Sequence, residues 1–246
     1  MHVRTPLIKS EPMSKLAGRP IWLKLECLQA SGSFKDRGMG HLCCSLSKQG
    51  KRKLIGSSGG NAGLALATMG KRLGFEIVLV VPSSTKQIVI ERLEELGVKV
   101  TIHGSIWNEA DLLARQMVEE DPEAAYVSPY DNPLLWTGHA TIVEEIWREF
   151  NTSIGTIILS VGGGGLLSGV LEGLEPTGFS TRVLTCETEG ANSFANSWNQ
   201  GDGREVIKLE GISSIATSLG ALEVTPVALE RAHEHKNRER CKFVSL

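Results

Sequence analysis

A chain of 246 residues, 41% hydrophobic and 22% charged, is long enough for one large domain or two lobes with buried cores, and its composition excludes a disordered polymer. A formal net charge of -2, with Lys and Arg dispersed along the chain, offers no field to draw in nucleic acid or anionic lipid, so small molecules are the expected partners. No apolar run approaches the roughly 20 residues that span a bilayer, and Met1-His2-Val3-Arg4-Thr5-Pro6 lacks a secretory apolar core, which predicts a cytoplasmic protein.

In chain order, short β-rich runs at residues 21–26, 53–56, 76–81, 98–103, 124–127, 156–161 and 182–187 alternate with helical stretches at 34–48, 61–73, 86–96, 108–120, 133–150 and 165–174. This alternation predicts an α/β fold of open, mostly parallel sheets flanked by helices. In the 86–96 helix, Ile88, Ile90, Leu93 and Leu96 partly follow the spacing of a face laid on a sheet. Soft connections are expected at Asp131-Asn132-Pro133 and over residues 199–204. Residues 40–130 read as a small inserted domain, and residues 1–39 with 131–246 as a larger one.

The five cysteines, Cys27, Cys43, Cys44, Cys186 and Cys241, show no Cys-x-x-Cys spacing and read as reduced thiols, with Cys27 and Cys186 as small buried strand residues. His103, His139 and the pair in His233-Glu234-His235 read as packing or surface residues, since an i, i+2 spacing does not place two ligands on one helix face. No metal centre is expected.

Three segments carry chemistry. In Ala30-Ser31-Gly32-Ser33-Phe34-Lys35-Asp36-Arg37-Gly38 a lysine stands among small residues at a strand-to-helix junction, where it can hold a cofactor covalently; a lysine taken at random is a solvated one. Gly56-Ser57-Ser58-Gly59-Gly60-Asn61-Ala62-Gly63 follows a strand and opens a helix, so its N–H groups and hydroxyls suit a carboxylate. Standing alone, it reads first as a tight turn needing positive φ at Gly59 or Gly60. Ser160-Val161-Gly162-Gly163-Gly164-Gly165-Leu166 follows an apolar strand and lets backbone wrap a phosphate at a helix start. It is neither a dinucleotide fingerprint nor a P-loop, which implies a phosphate on something other than a nucleotide.

Together with Tyr130-Asp131-Asn132-Pro133-Leu134-Leu135-Trp136-Thr137-Gly138-His139, these segments resemble the fold type II pyridoxal-phosphate enzymes, and among them the L-serine dehydratase/L-threonine deaminase and serine dehydratase-like group. The resemblance covers roughly residues 3–234. It implies a lyase acting by α,β-elimination and deamination of L-serine or L-threonine to pyruvate or 2-oxobutyrate and ammonia, with pyridoxal 5'-phosphate as cofactor and a homodimer as the assembly. It makes Lys35 the catalytic and attachment lysine. Phe34 and Ala216 would flank the cofactor ring, Asn61 would bond its hydroxyl, and Gly162, Gly163, Gly164, Gly165 and Leu166 would cradle its phosphate. Ser58, Gly59 and Asn61 would hold the substrate carboxylate, and Glu187 and Ala191 are weak candidates for a monovalent cation near the phosphate loop. Gly59 stands where related enzymes can carry Ala.

The chain departs from the family at its C-terminal end, where the basic, unpatterned stretch from His235 to Leu246 replaces further strands and helices and a late Ser or Cys that bonds the ring nitrogen. It reads as a truncated form with an incomplete large domain. The alternative function is therefore a catalytically impaired variant that binds cofactor weakly or pairs with a full-length subunit.

Overall fold

The computed structural model of the chain describes residues 1–152, 154–178, 181–200, 202–216 and 218–237; Cys241 and the rest of the basic tail beyond residue 237 lie outside them. The strands are β1 (Leu7–Lys9), β2 (Trp22–Lys24), β3 (Lys53–Gly56), β4 (Glu76–Val81), β5 (Lys99–Ile102), β6 (Ala124–Val127), β7 (Thr156–Ser160) and β8 (Arg182–Cys186). The helices are α1 (Glu11–Ala17), α2 (Lys35–Lys48), α3 (Asn61–Arg72), α4 (Gln87–Glu95), α5 (Trp107–Glu119), α6 (Pro133–Phe150), α7 (Gly165–Leu174), α8 (Ser193–Asn199) and α9 (Pro226–Asn237). The expected α/β class is observed. The chain divides into two compact units, residues 1–126 with 145–150 and residues 127–144 with 151–246.

The first unit holds a sheet of order β5-β4-β3-β6 in which β3/β4 and β4/β5 run parallel. β4 reads Glu-Ile-Val-Leu-Val-Val and is buried along all but its first residue, as a central parallel strand covered on both faces must be. Ile55, Val78, Val80, Ala110, Ala114 and Ala124 form one packed cluster of its core. α2 and α3 pack together, and Gly70 lets α3 lie close against β4: a Cβ there would stand 2.8 Å from Ile77 Cδ1. A separate two-stranded antiparallel ribbon pairs Leu7 with Lys24 and Lys9 with Trp22.

The second unit pairs β7 and β8 in parallel, Thr156 opposite Arg182 and Ser160 opposite Cys186. Leu159, Val161, Leu167, Leu171, Val183, Phe194, Val224 and Leu229 belong to its core. In α6, His139 is fully buried. A Cβ on Gly169 of α7 would collide with His139 Cβ, and one on Gly173 would stand 2.8 Å from the Ala140 carbonyl oxygen. The two helices therefore cross at glycines.

Several sequence expectations are corrected. The run at 21–26 is strand only to Lys24; Glu26–Leu28 is a 3-10 turn that presents the Glu26 carboxylate to Arg37, and it leaves Cys27 exposed rather than buried in a strand. Ile88 (71% exposed) and Leu96 (39%) lie off the buried face of α4, which Ile90 and Leu93 supply alone. Asp131-Asn132-Pro133 is a capped helix start, with Asn132 Oδ1 accepting from Leu134 N at 2.9 Å and Ser128 Oγ from Asp131 N at 2.9 Å; Pro133 fits the first helical position, whose N–H needs no partner. α1 and α9 carried readable signals. Ser10 Oγ caps α1 through Met13 N, and Thr225 Oγ1 accepts from Ala228 N ahead of Pro226.

Candidate active site

In the first unit, α2 begins at Lys35 with Phe34 as its N-cap. The segment before it turns through Gly32 at φ +88°, a left-handed conformation that favours glycine. The Ser31 N–H donates to Asp36 Oδ2 at 3.0 Å, which ties the loop to the first turn of the helix. Lys35 Nζ lies 5.3 Å from the centre of the Phe34 ring. The residue as a whole is half-buried, yet burial of the amine lowers its pKa from 10.5 to about 8, because desolvation disfavours the charged form.

Two residues after Lys35, Arg37 is fully buried. Its Nε and Nη2 reach Glu26 at 2.7 Å each, and its Nη1 and Nη2 reach Glu145 at 2.8 and 2.9 Å. Lys24 Nζ donates to Glu145 Oε2 at 2.6 Å. Burial pushes the Glu145 carboxyl up, but hydrogen bonds and charge from Arg37 and Lys24 outweigh it and hold the pKa at about 2. The helix that presents Lys35 is thus pinned by a buried ion cluster.

The serine/glycine loop leaves β3 and enters α3 in the same unit. Its expected positive φ at Gly59 or Gly60 is not found: neither belongs to the left-handed glycines, and Gly60 has φ -84° and ψ -151°. The glycine that close approach requires is Gly63, where a Cβ would overlap the Ser58 carbonyl oxygen. Ser57 is 1% exposed and its hydroxyl donates to Asp111 Oδ1 at 2.5 Å, so it faces inward rather than toward a ligand. Ser58 and Gly59 are half-buried, and Asn61, the first residue of α3, is exposed. The N–H groups of Gly59, Gly60 and Asn61 donate to no acceptor among the described residues. Such a helix start suits an anion.

Two of the loop's glycines, Gly63 and Gly59, make contrasting substitutions. Gly63→Ala is expected to destabilise the protein by about 1–3 kcal/mol through overpacking. At Gly59, a Cβ would meet Thr85 Cγ2 at 3.4 Å and Val81 Cγ1 at 3.5 Å, ordinary contacts at an unstrained φ. Gly59→Ala is therefore expected to be neutral or to stabilise by about 0.4–1 kcal/mol. Urea unfolding of the two variants checks both, and equal midpoints would contradict this geometry.

In the second unit, the tetraglycine segment joins β7 to α7. Gly164, at φ +92°, is the N-cap of α7, which lacks a side-chain cap. The N–H groups of Gly162, Gly163, Gly164, Gly165 and Leu166 donate to no acceptor among the described residues. The glycines also answer a packing demand: Cβ atoms at Gly162, Gly163 and Gly164 would collide with the Leu219 carbonyl oxygen, the Tyr130 ring and Ala228 Cβ, and one at Gly165 would lie 2.7 Å from the Tyr130 carbonyl oxygen. Thr225 N donates to the Gly163 carbonyl at 3.1 Å and locks the loop from outside. Ala216, half-buried, accepts from Leu219 N at 3.0 Å, so it belongs to the turn that backs Gly162.

Glu187 does not stand open for a cation. Its two oxygens accept from Phe194 N at 2.9 Å and Ala195 N at 2.7 Å at the start of α8. Its pKa is raised by burial against the pull of those two N–H groups. No group of three or more His, Cys, Asp and Glu side chains is placed to hold a metal among the described residues. No helix among them is long and apolar enough to cross a membrane.

Two features fit a phosphorylated aldehyde cofactor: a desolvated lysine whose pKa is lowered to about 8, and a helix start whose five N–H groups donate to no acceptor among the described residues. Sequence reasoning missed Asp111, Tyr130, Glu145 and Thr225 as shaping residues. Of these, Tyr130 and Thr225 had local signals, their places beside Asp131-Asn132-Pro133 and directly before Pro226.

Comparison with known proteins agrees. Residues 1–243 match the family described as "Pyridoxal-phosphate dependent enzyme". The chain is 42% identical over 236 residues to L-serine dehydratase/L-threonine deaminase of Mus musculus, spanning 96% of this chain and 71% of that one. It is 43% identical over 230 residues to serine dehydratase-like of Homo sapiens, spanning 93% and 69%. Among solved structures, a fungal L-serine ammonia-lyase from Rhizomucor miehei superposes with a TM-score of 0.88 at 33% identity, covering 99% of this chain and 75% of that one. The fold is therefore the fold type II arrangement, and the chain belongs to the pyridoxal-phosphate dependent enzymes.

Proposed function

We propose that this chain is a lyase that uses pyridoxal phosphate to remove water across Cα and Cβ of L-serine and L-threonine, yielding pyruvate or 2-oxobutyrate and ammonia. The observation that carries the reading is the Lys35 amine, lowered to about 8 at a helix start, in a chain 42% identical to a relative named L-serine dehydratase/L-threonine deaminase.

Bound pyridoxal phosphate supplies an electron sink for the pair left on Cα when its proton departs. The protein does the rest. Lys35 is the attachment residue; as a neutral amine it takes the Cα proton at Nζ and delivers a proton to the departing β-hydroxyl, which leaves as water. Ser58, Gly59 and Asn61 hold the substrate carboxylate, and the Asn61 side chain also bonds the cofactor's ring hydroxyl. Phe34 and Ala216 flank the ring. Gly162, Gly163, Gly164, Gly165 and Leu166 hold the phosphate through their N–H groups, aided by the α7 dipole.

We further assign residues 40–130 to a small domain and residues 1–39 with 131–246 to the cofactor-binding domain; the placement of β3, β4, β5 and β6 within 40–130 supports that division. A cytoplasmic homodimer is the proposed working form. Sedimentation of the purified protein checks the assembly, and a monomer at micromolar concentration refutes it. The reading as a whole is tested by assaying keto acid and ammonia after L-serine and L-threonine are added to cofactor-loaded protein. Stoichiometric release of both is expected. Uptake of cofactor at Lys35 without keto acid overturns the lyase reading and favours a cofactor-binding form that works beside a longer subunit.

A further inference from the structure

Asp111, on α5, is 8% exposed and takes no part in the chemistry described above. Its Oδ1 accepts from Ser57 Oγ at 2.5 Å and from the Tyr126 hydroxyl, and its Oδ2 accepts from Arg115 Nε at 2.8 Å. The Arg115 guanidinium in turn lies 4.0 Å over the Tyr126 ring. One carboxylate therefore gathers three donors from β6, α5 and the root of the serine/glycine loop.

The geometry points to Asp111 as a positioning residue that, through Ser57, sets the loop proposed to bind the substrate carboxylate; the inference rests on that proposed function. A loop containing Gly59 and Gly60 has little conformational preference of its own, so its N–H groups converge on an anion only if its ends are held. The α3 start holds one end. At the other, the Ser57 hydroxyl is turned inward to Asp111, and this fixes the peptide planes that lead to Ser58 and Gly59. A carboxylate this close to an anion site would repel the ligand if it stood alone. Arg115 offsets its charge, and the hydroxyls of Ser57 and Tyr126 spread what remains. For stability alone an apolar residue would serve at least as well as a buried ionic group. The cluster's place at the root of the loop gives it a positioning task.

The test compares parent, Ser57→Ala, Asp111→Ala, Asp111→Asn and the Ser57→Ala/Asp111→Ala double variant, all loaded with cofactor. Steady-state kinetics with L-serine are read beside calorimetric binding of L-alanine, which has the carboxylate but no leaving hydroxyl, and beside thermal melting. Ser57→Ala and Asp111→Ala are expected to raise KM and weaken L-alanine binding about tenfold with kcat changed by less than about threefold. The double variant should be no worse than Asp111→Ala, because both changes remove the same link. Asp111→Asn, which keeps an acceptor, should recover part of the loss. Ser57→Ala leaves Asp111 with Arg115 and Tyr126, and it carries the test if Asp111→Ala does not fold. Lowered melting temperatures with unchanged KM and L-alanine affinity would overturn the positioning role and leave a purely structural one. A parent protein that neither binds L-alanine nor turns over L-serine would instead overturn the proposed function itself.

Discussion

Lys35→Ala is expected to abolish covalent uptake of pyridoxal phosphate and to lower kcat/KM for L-serine by about 10²–10⁴, the range associated with removing a positioned general base. Borohydride reduction followed by peptide mapping should find the adduct on Lys35 in the parent and nowhere in the variant. An adduct of equal yield in Lys35→Ala would sink the assignment. The pH dependence follows from the same group. With its pKa lowered to about 8 by burial, about a tenth of the cofactor-free protein carries a neutral Lys35 at pH 7, against about one in a few thousand for an ordinary lysine. Uptake should therefore rise with pH through about 8 and level above it. The sign for stability is opposite to that of a paired lysine. The unfolded chain binds this proton more tightly than the folded one, so the cost is absent above pH 10.5, grows as pH falls toward 8 and is complete below it. Lys35→Met in the cofactor-free protein should raise the melting temperature at pH 7 and have no such effect above pH 10.5, a cost of the kind active sites impose on stability.

Arg37→Ala is expected to destabilise the protein by about 3–5 kcal/mol, because it leaves the buried carboxylate of Glu145 and the half-buried one of Glu26 without their principal partner. The exposed pair Arg4 and Glu149, at 2.8 Å, provides the control: Arg4→Ala should cost no more than about 1 kcal/mol. Urea denaturation measures both, and similar midpoints would refute the argument. The pH profile separates charge from packing. Glu145, held at about 2 by its partners despite burial, contributes stability above its ordinary value of 4.5 and loses it as pH falls through 4.5 toward 2. In Arg37→Met the carboxyl loses its main partner while burial persists, so acid unfolding should begin at higher pH than in the parent. A second consequence concerns the site. Arg37 stands two residues after Lys35 in the first turn of α2, so a variant that still folds should take up cofactor more slowly.

Much of the site was legible because its parts are local. Attachment segment, serine/glycine loop and tetraglycine loop each occupy fewer than about ten consecutive residues, and the two loops each follow a strand whose apolar run marks it. The long periodic helices and β3, β4 and β6 were legible for the same reason. Legibility failed where the signal was short or the partner distant. β1 has three residues and exists only because β2 pairs with it. Ile88 obeys helical spacing yet points away from the sheet, since spacing names a face without saying where the face ends. Ser57 and Ser58 look alike in sequence, but Asp111, 54 residues away, turns one of them inward.

The order of residues by itself determined the lysine in its small-residue setting, the two loops that open helices after strands, and the alternation that makes an α/β fold. These are properties of neighbouring residues, governed by backbone conformation and local hydrogen bonding. Only the tertiary structure decided that the Lys35 amine is desolvated, with its pKa lowered to about 8. It alone showed that Arg37 is locked to Glu145 from 108 residues away, and that the tetraglycine, proposed to hold a phosphate, also meets a packing requirement. Desolvation, ion pairing and steric exclusion are sums over atoms brought together from distant parts of the chain, and no local pattern encodes them.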